Sequence, residues 1–171
     1  MAEIEVLRKH IADDVMHDMD AHVLWIEANC SGNILEIGVR TGISTAALLL
    51  GIQRAGGYLY SADIENKFGT TFGNHPNWTF IHSDSKDTSE ILPLIPDKLD
   101  VLFVDGDHSY EGALADLNNY GPKVKSGGLI VCHDVTYLCG CTKAFDEYVS
   151  KTGYATKVLP DFSPLGIIYV S

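Results

Sequence analysis

Two segments concentrate the residues able to do chemistry. Val101-Leu102-Phe103-Val104-Asp105-Gly106-Asp107-His108-Ser109-Tyr110-Glu111 places Asp105, Asp107 and His108 directly after an apolar run. Lys125-Ser126-Gly127-Gly128-Leu129-Ile130-Val131-Cys132-His133-Asp134 repeats the pattern and ends in a His-Asp pair. Histidine changes charge near neutral pH and suits proton transfer, while aspartate accepts hydrogen bonds or holds a cation. A purely local reading competes: acids at strand-to-helix turns cap helices or bind loop amides, and His108 or His133 can serve as a loop or packing residue. Asp107 faces the same choice.

Three earlier turns bear on a ligand. Leu35-Glu36-Ile37-Gly38-Val39-Arg40-Thr41-Gly42-Ile43-Ser44-Thr45 carries glycines where the chain turns tightly and a ligand can approach the backbone. Ser44 or Thr45 can satisfy free amides at the next helix start. Ser61-Ala62-Asp63-Ile64-Glu65 sets a carboxylate where a ribose would present two hydroxyls, and Ile81-His82-Ser83-Asp84-Ser85 sets Asp84 where an adenine amino group would donate. Singly, each of these is also an ordinary turn; their order along the chain is the stronger signal. Gly38 and Gly42 lack the middle glycine of the G-x-G-x-x-G pattern expected for a nicotinamide cofactor. Cys139-Gly140-Cys141 has no second Cys/His pair at zinc-finger spacing and reads as half-buried thiols rather than a metal pair. His10, His17, His22, His75 and His82 show no partner pattern and are expected at the surface or an interface.

The elements that must position these residues follow from apolar spacing. Helices are expected over residues 2–12 and 14–29, the second with Val15, Met19, His22, Val23 and Ile26 on one face. Strands are expected over 33–37, 58–63, 78–82, 99–105 and 128–133, with an Ala/Leu-rich helix over 44–54 closed by Gly56-Gly57 and another over 142–150. Residues 155–159 and 166–170 are expected to form a terminal hairpin around Asp161-Phe162-Ser163-Pro164. Continuous apolar runs suit strands covered on both faces, so the expected class is α/β, doubly wound around a mostly parallel sheet. Ligands then sit beyond the carboxyl ends of the strands.

A chain of 171 residues, 46% hydrophobic, is long enough for one core and too short for two ordinary domains. Its net charge of -11 argues against nucleic acid or anionic membrane as partners, because both need clustered Lys and Arg. The N-terminus has charges throughout and no signal-peptide or membrane-span pattern, so a cytoplasmic location is expected. Cys30, Cys132, Cys139 and Cys141 are too few and too uneven for a disulfide framework.

From about Asn33 to the C-terminus the sequence resembles the class I S-adenosylmethionine-dependent methyltransferases. Among them it is similar to the family-24 type, cephalosporin hydroxylase-like and sugar O-methyltransferase domains, and more distantly to catechol O-methyltransferases. The resemblance implies a single Rossmann-like domain with a seven-stranded sheet, a C-terminal antiparallel hairpin strand and helices on both faces. Residues 1–30 would be N-terminal helices of that domain, acting as a cap or dimer element, and 31–171 the methyltransferase domain. It implies cofactor contacts from Glu36, Gly38, Arg40, Gly42, Ser44, Asp63, Ile64, Asp84, Ser85 and Asp105. Metal-dependent members carry ligands at the positions of Asp105, His133 and Asp134 and a base at that of His108, giving Asp105 and His108 catalytic roles and a divalent ion, Mg²⁺ or Mn²⁺, as second cofactor. His133 departs from the usual oxygen ligand, which shifts preference toward Mn²⁺ or another transition ion. The implied reaction is O-methylation of a small-molecule hydroxyl on a sugar, phenol or other metabolite. The alternative is a noncatalytic or differently employed Rossmann-like nucleotide-binding module, an NAD-binding oxidoreductase domain included. With no inserted lid, the acceptor pocket would come from the N-terminal helices, short loops or a second subunit, which makes a homodimer one way to complete it.

Overall fold

Every apolar run singled out as a strand forms one. The strands are β1 (Gly32–Ile37), β2 (Gly57–Asp63), β3 (Trp78–His82), β4 (Leu99–Val104), β5 (Val124–Cys132), β6 (Ala155–Leu159) and β7 (Leu165–Tyr169). They lie in the order β3-β2-β1-β4-β5-β7-β6. The first five are mutually parallel, and β7 runs antiparallel to both β5 and β6. The helices are α1 (Ala2–Ala12), α2 (Asp20–Asn29), α3 (Ile43–Ala55), α4 (Thr88–Ile91), α5 (Tyr110–Tyr120) and α6 (Gly140–Thr152). The computed structural model describes residues 2–14, 19–68, 72–73, 75–135, 139–160 and 163–171.

The sheet separates two apolar layers by the alternation of its strands. Leu35 and Ile37 of β1 and Leu102 and Val104 of β4 face one layer, with Ile91 of α4, Leu117 and Tyr120 of α5 and Phe145 and Tyr148 of α6. Ile34, Val101 and Phe103 face the other, with Leu7 of α1, Val23 and Ile26 of α2 and most of α3. Ten successive residues of α3, from Ile43 to Ile52, are buried because the helix lies between the sheet and the N-terminal helices, which explains its Ala/Leu composition. By contrast, α6 buries only Cys141, Ala144, Phe145 and Tyr148, the single stripe of a helix with one face in solvent.

Two boundaries differ from the pattern. The expected helix over 14–29 is described from Asp20, and residues 15–18, Val15 and His17 among them, lie outside the described residues. Strand β5 begins four residues early at Val124, because its pairing shifts: from Leu99 to Val101 on β4, the partner moves from Val124 to Leu129. The intervening Lys125, Ser126 and Gly127 are exposed, so they read as a turn. The apex of the hairpin, at Asp161 and Phe162, also falls outside the described residues. Among the described residues no helix is long and apolar enough to cross a membrane.

The strand order fixes the place to look for a ligand. Connections leave β1 toward β2 and β3 on one side and reach β4 and β5 on the other, so the chain reverses direction between β1 and β4. A crevice opens at such a switch point, beyond the carboxyl ends of the strands.

Candidate active site

A cavity of about 570 Å³ occupies that crevice, within the roughly 300–1,000 Å³ range of small-molecule sites. Gly38, Arg40, Asp63, Ile64, Asp84, Ser85, Asp105, His108, His133 and Asp134 line it, so most of the residues singled out at strand ends meet here. Glu65 and Lys86 also line it, and no sequence pattern marked them.

The glycine loop is shaped by close backbone packing. Gly38 has φ +88°, and a Cβ there would stand 2.1 Å from the Asp105 carbonyl oxygen, so only glycine lets the ends of β1 and β4 approach. Arg40 follows at φ +51°. The loop is held by Asp63, whose Oδ2 accepts the Val39 and Arg40 amides at 2.7 and 2.9 Å while Oδ1 accepts that of Glu65 at 2.9 Å. A carboxylate has about four acceptor positions, so Asp63 keeps room for one ribose hydroxyl rather than two. Asp84 is similarly a turn-former, its Oδ1 accepting the Lys86 amide at 2.9 Å, and the Ser85 carbonyl accepts the Tyr120 hydroxyl at 2.6 Å.

Three residues implied at the cofactor are not among those lining the cavity. Glu36 has no solvent exposure and sits beneath the loop, accepting hydroxyl donors from Ser44 at 2.6 Å, Thr45 at 2.8 Å and Ser61 at 2.6 Å. Its side chain shares the face of Ile34, on the α3 side of the sheet, and does not line the cavity. Burial pushes its carboxyl up to about 7 against the opposing effect of the three hydroxyls. Ser44 is spent on Glu36 rather than on a ligand or on helix amides. Gly42 backs onto an aromatic ring: a Cβ there would stand 2.3 Å from Phe72 Cε2.

At the far end of the cavity two aspartates and two histidines close a ring. Asp105 Oδ1 lies 3.1 Å from His108 Nε2 and 3.0 Å from His133 Nδ1. Asp134 Oδ2 lies 3.3 Å from His108 Nδ1 and 3.5 Å from His133 Nδ1. Ligand atoms of Asp105, His108 and Asp134 all fall within 4.8 Å of one another, so the cluster that could hold an ion takes in His108, where the sequence points to His133. The backbone sets this up. The Asp105 amide donates to the Ile37 carbonyl at 2.8 Å and the His133 amide to that of Val104 at 3.0 Å, while Asp134 turns the chain at φ +56°, a left-handed conformation that aspartate tolerates better than most side chains.

Electrostatics divide the ring. Burial favours a neutral Asp105, but hydrogen bonds from His108 and His133 outweigh it and hold its carboxyl below the usual range. The hydrogen bond to Asp105 pushes the His108 imidazole up to about 9, against partial desolvation. Asp107 stands apart: the Ser109 amide and Lys86 hold its carboxyl down to about 2, and it fixes the start of α5. Lys86 reaches it at 3.0 Å from 21 positions away, a contact invisible in local sequence.

Comparisons with known proteins bear on the family and the fold. The profile of a family described as a methyltransferase domain matches residues 35–135. Uncharacterized protein R132 of Acanthamoeba polyphaga mimivirus is 46% identical over 44 residues, a match spanning 26% of this chain and one fifth (20%) of that protein. The SAH-bound Podospora anserina methyltransferase PaMTH1 superposes with a TM-score of 0.70 at 17% identity, over 99% of this chain and 88% of that one. An O-methyltransferase from Bacillus cereus in complex with SAH gives 0.68 at 14% identity, over 99% and 91%. At these identities the likeness is one of fold.

Proposed function

The chain belongs to the methyltransferase-domain family, and from that premise we propose that it transfers a methyl group from S-adenosylmethionine to a hydroxyl oxygen of a small molecule, with a divalent ion held by Asp105 and Asp134. The observation that carries the reading is one cavity with two unlike ends, a glycine loop with Asp63, Ile64 and Asp84 at one and the Asp105-His108-His133-Asp134 ring at the other.

The residues present fit both groups. Gly38 brings bare backbone to the cavity, and Ile64, 65% exposed, offers apolar surface for the flat face of a base. Asp63, Glu65, Asp84, Asp105, Asp107 and Asp134 outnumber Arg40 and Lys86 on the walls, a field that suits a sulfonium cation and a divalent ion. The bound sulfonium supplies an already activated methyl group. A divalent ion, Mg²⁺ or Mn²⁺, would supply Lewis-acid polarisation of the acceptor hydroxyl. The work left to the chain is alignment and proton removal. His108, the more exposed imidazole at 44% of its side chain against 4% for His133, meets an entering acceptor and in its neutral form takes its proton, so turnover should rise as pH approaches about 9. Asp105 orients that imidazole, and the buried His133 holds Asp105 from behind.

Calorimetry with S-adenosylmethionine and with NAD, followed by divalent ions, tests the reading. Binding of S-adenosylmethionine and not NAD is expected; binding of NAD alone would make the domain an oxidoreductase. Asp105→Ala should lower both Mn²⁺ affinity and turnover on a panel of hydroxyl acceptors, and retention of both removes the metal from the proposal.

A further inference from the structure

The thiol pair Cys139-Gly140-Cys141 does not join the cavity wall, yet the fold presses it against His108 from outside. Gly140 opens α6 in direct contact with the chain at 108–110: a Cβ on it would stand 2.2 Å from the Tyr110 nitrogen and 2.7 Å from the His108 carbonyl oxygen. A glycine between the two cysteines is therefore what lets both reach this loop. Their sulfurs straddle one atom, the His108 carbonyl oxygen, with Sγ–O distances of 3.8 Å for Cys139 and 3.7 Å for Cys141. A ring nitrogen of His108 and both sulfurs lie within 4.8 Å of one another. Cys139 is also the N-cap of the 13-residue helix α6, and its sulfur accepts the Cys141 amide at 3.2 Å. Burial, with Cys139 beside it, pushes the Cys141 thiol up, so an ion must displace that proton to bind.

We infer that Cys139, Cys141 and His108 form a binding site for a soft divalent transition-metal ion of the Zn²⁺ class, separate from the carboxylate position and sharing only His108 with it. Two thiolates and an imidazole are the donors such ions select, whereas Mg²⁺ and Ca²⁺ select oxygens. Bond lengths of about 2.3 Å to sulfur and about 2.0 Å to nitrogen put donors roughly 3.5–3.8 Å apart in a tetrahedron, so the three groups need close in by only about an ångström. Near neutral pH, binding replaces two S–H protons and one N–H proton of the His108 imidazolium by two metal–sulfur bonds and one metal–nitrogen bond and releases three protons to solvent, with no change of oxidation state. Cys139 and His108 are partly exposed, which gives the ion a way in and leaves the fourth position to water. An ion seated here would draw the imidazole from Asp105 and Asp134. On the methyltransferase reading, the thiol pair then makes that site sensitive to soft metals; the binding itself does not rest on that reading.

Reduced, metal-free protein titrated with Co²⁺ and then Zn²⁺ tests the inference without any assay of activity. One equivalent of Co²⁺ should give a thiolate-to-metal charge-transfer band that Zn²⁺ abolishes, and Zn²⁺ should protect Cys139 and Cys141 from a thiol reagent. Cys139→Ser and Cys141→Ser should each weaken Zn²⁺ binding by about 100-fold or more, at least the upper end of what losing a supporting contact costs, with the fold checked by circular dichroism. Cobalt binding without the band, or thiols that react as fast with Zn²⁺ as without it, overturns the site on the unmodified protein alone. Undiminished Zn²⁺ affinity in the Cys139→Ser/Cys141→Ser double variant also overturns it, and would place the ion on the carboxylates.

Discussion

Glu36 and Asp105 stand at the carboxyl ends of neighbouring strands and look alike in sequence, each an acid next to a glycine turn after an apolar run. The structure makes them opposites. Glu36 is sealed under the loop among three hydroxyls, with its carboxyl raised to about 7. Asp105 is open to the cavity between two imidazoles, with its carboxyl lowered despite burial. The difference lies in the pleat and the partners. Glu36 is still inside its strand, so alternation points it to the α3 layer; Asp105 is one residue past the end of β4, where the chain is free to aim it outward. Hydroxyls stabilise a buried acid without adding charge, whereas imidazolium neutralises it and keeps it ionised.

Exchanging the roles of the two acids is the sharpest way to break this contrast. Asp105→Ala should lower kcat/KM for methyl transfer by about 10²–10⁴-fold, the range for removing a group that supports proton transfer, while the melting temperature moves little. Glu36→Ala should do the reverse, costing about 2–3 kcal/mol of stability because three buried hydroxyls lose their acceptor, with cofactor affinity of the folded fraction nearly unchanged. Denaturation curves beside steady-state rates on both variants decide it. A stable, inactive Glu36→Ala protein would mean that the sealed acid reaches the ligand after all.

The loop between the two acids offers a second comparison. Gly38→Ala sets a Cβ against the backbone of Asp105 in a left-handed conformation, and should cost about 3 kcal/mol or more. Gly127→Ala has the same handedness, φ +81°, but nothing within 4 Å, so it should cost only about 1 kcal/mol. Equal losses in urea titrations would remove close approach as the reason for Gly38.

How much of this was legible follows from the same physics. Apolar runs of strand length with turn residues between them specify the elements, and the parallel class follows from runs that do not alternate, so the rim carrying Asp63, Asp84, Asp105 and Asp134 could be located in advance. What local sequence does not encode is which face a rim residue takes and which distant group it meets. Ser44 reads as a helix-start donor but is claimed by Glu36, and Gly42 reads as a ligand contact but is claimed by Phe72. Lys86 and Glu65 read as plain loop charges, because Lys86 gains its place only through Asp107 and the cavity gains Glu65 only through the turn that Asp63 makes. The start of β5 was hidden for a similar reason: Lys125-Ser126-Gly127 is polar because the shifted pairing leaves it in solvent.

The smallest effect concerns the pH dependence of folding, and it separates the two acids by sign. Burial raises Glu36 to about 7 and the fully buried Asp116 of α5 to about 6, above their ordinary values of 4.5 and 3.8. Between pH 4 and 7 the folded chain therefore holds protons that the unfolded chain has released, and stability falls as pH rises through that window. Asp105 and Asp107 are lowered, so their contribution is complete above an ordinary value of 3.8 and is lost only toward more acid pH. The raised His108 contributes fully below 6.5 and loses its contribution as pH climbs toward about 9, outside most of the window. Urea titrations from pH 4.5 to 7 should accordingly show a decline of at most about 1.4 kcal/mol per pH unit for each raised acid. Glu36→Gln should flatten the upper part of that decline, from pH 6 to 7, where the contribution of Asp116 fades. A slope there identical to that of the unmodified protein would show that the hydroxyl cage already keeps Glu36 ionised, and the contrast with Asp105 would then rest on exposure alone.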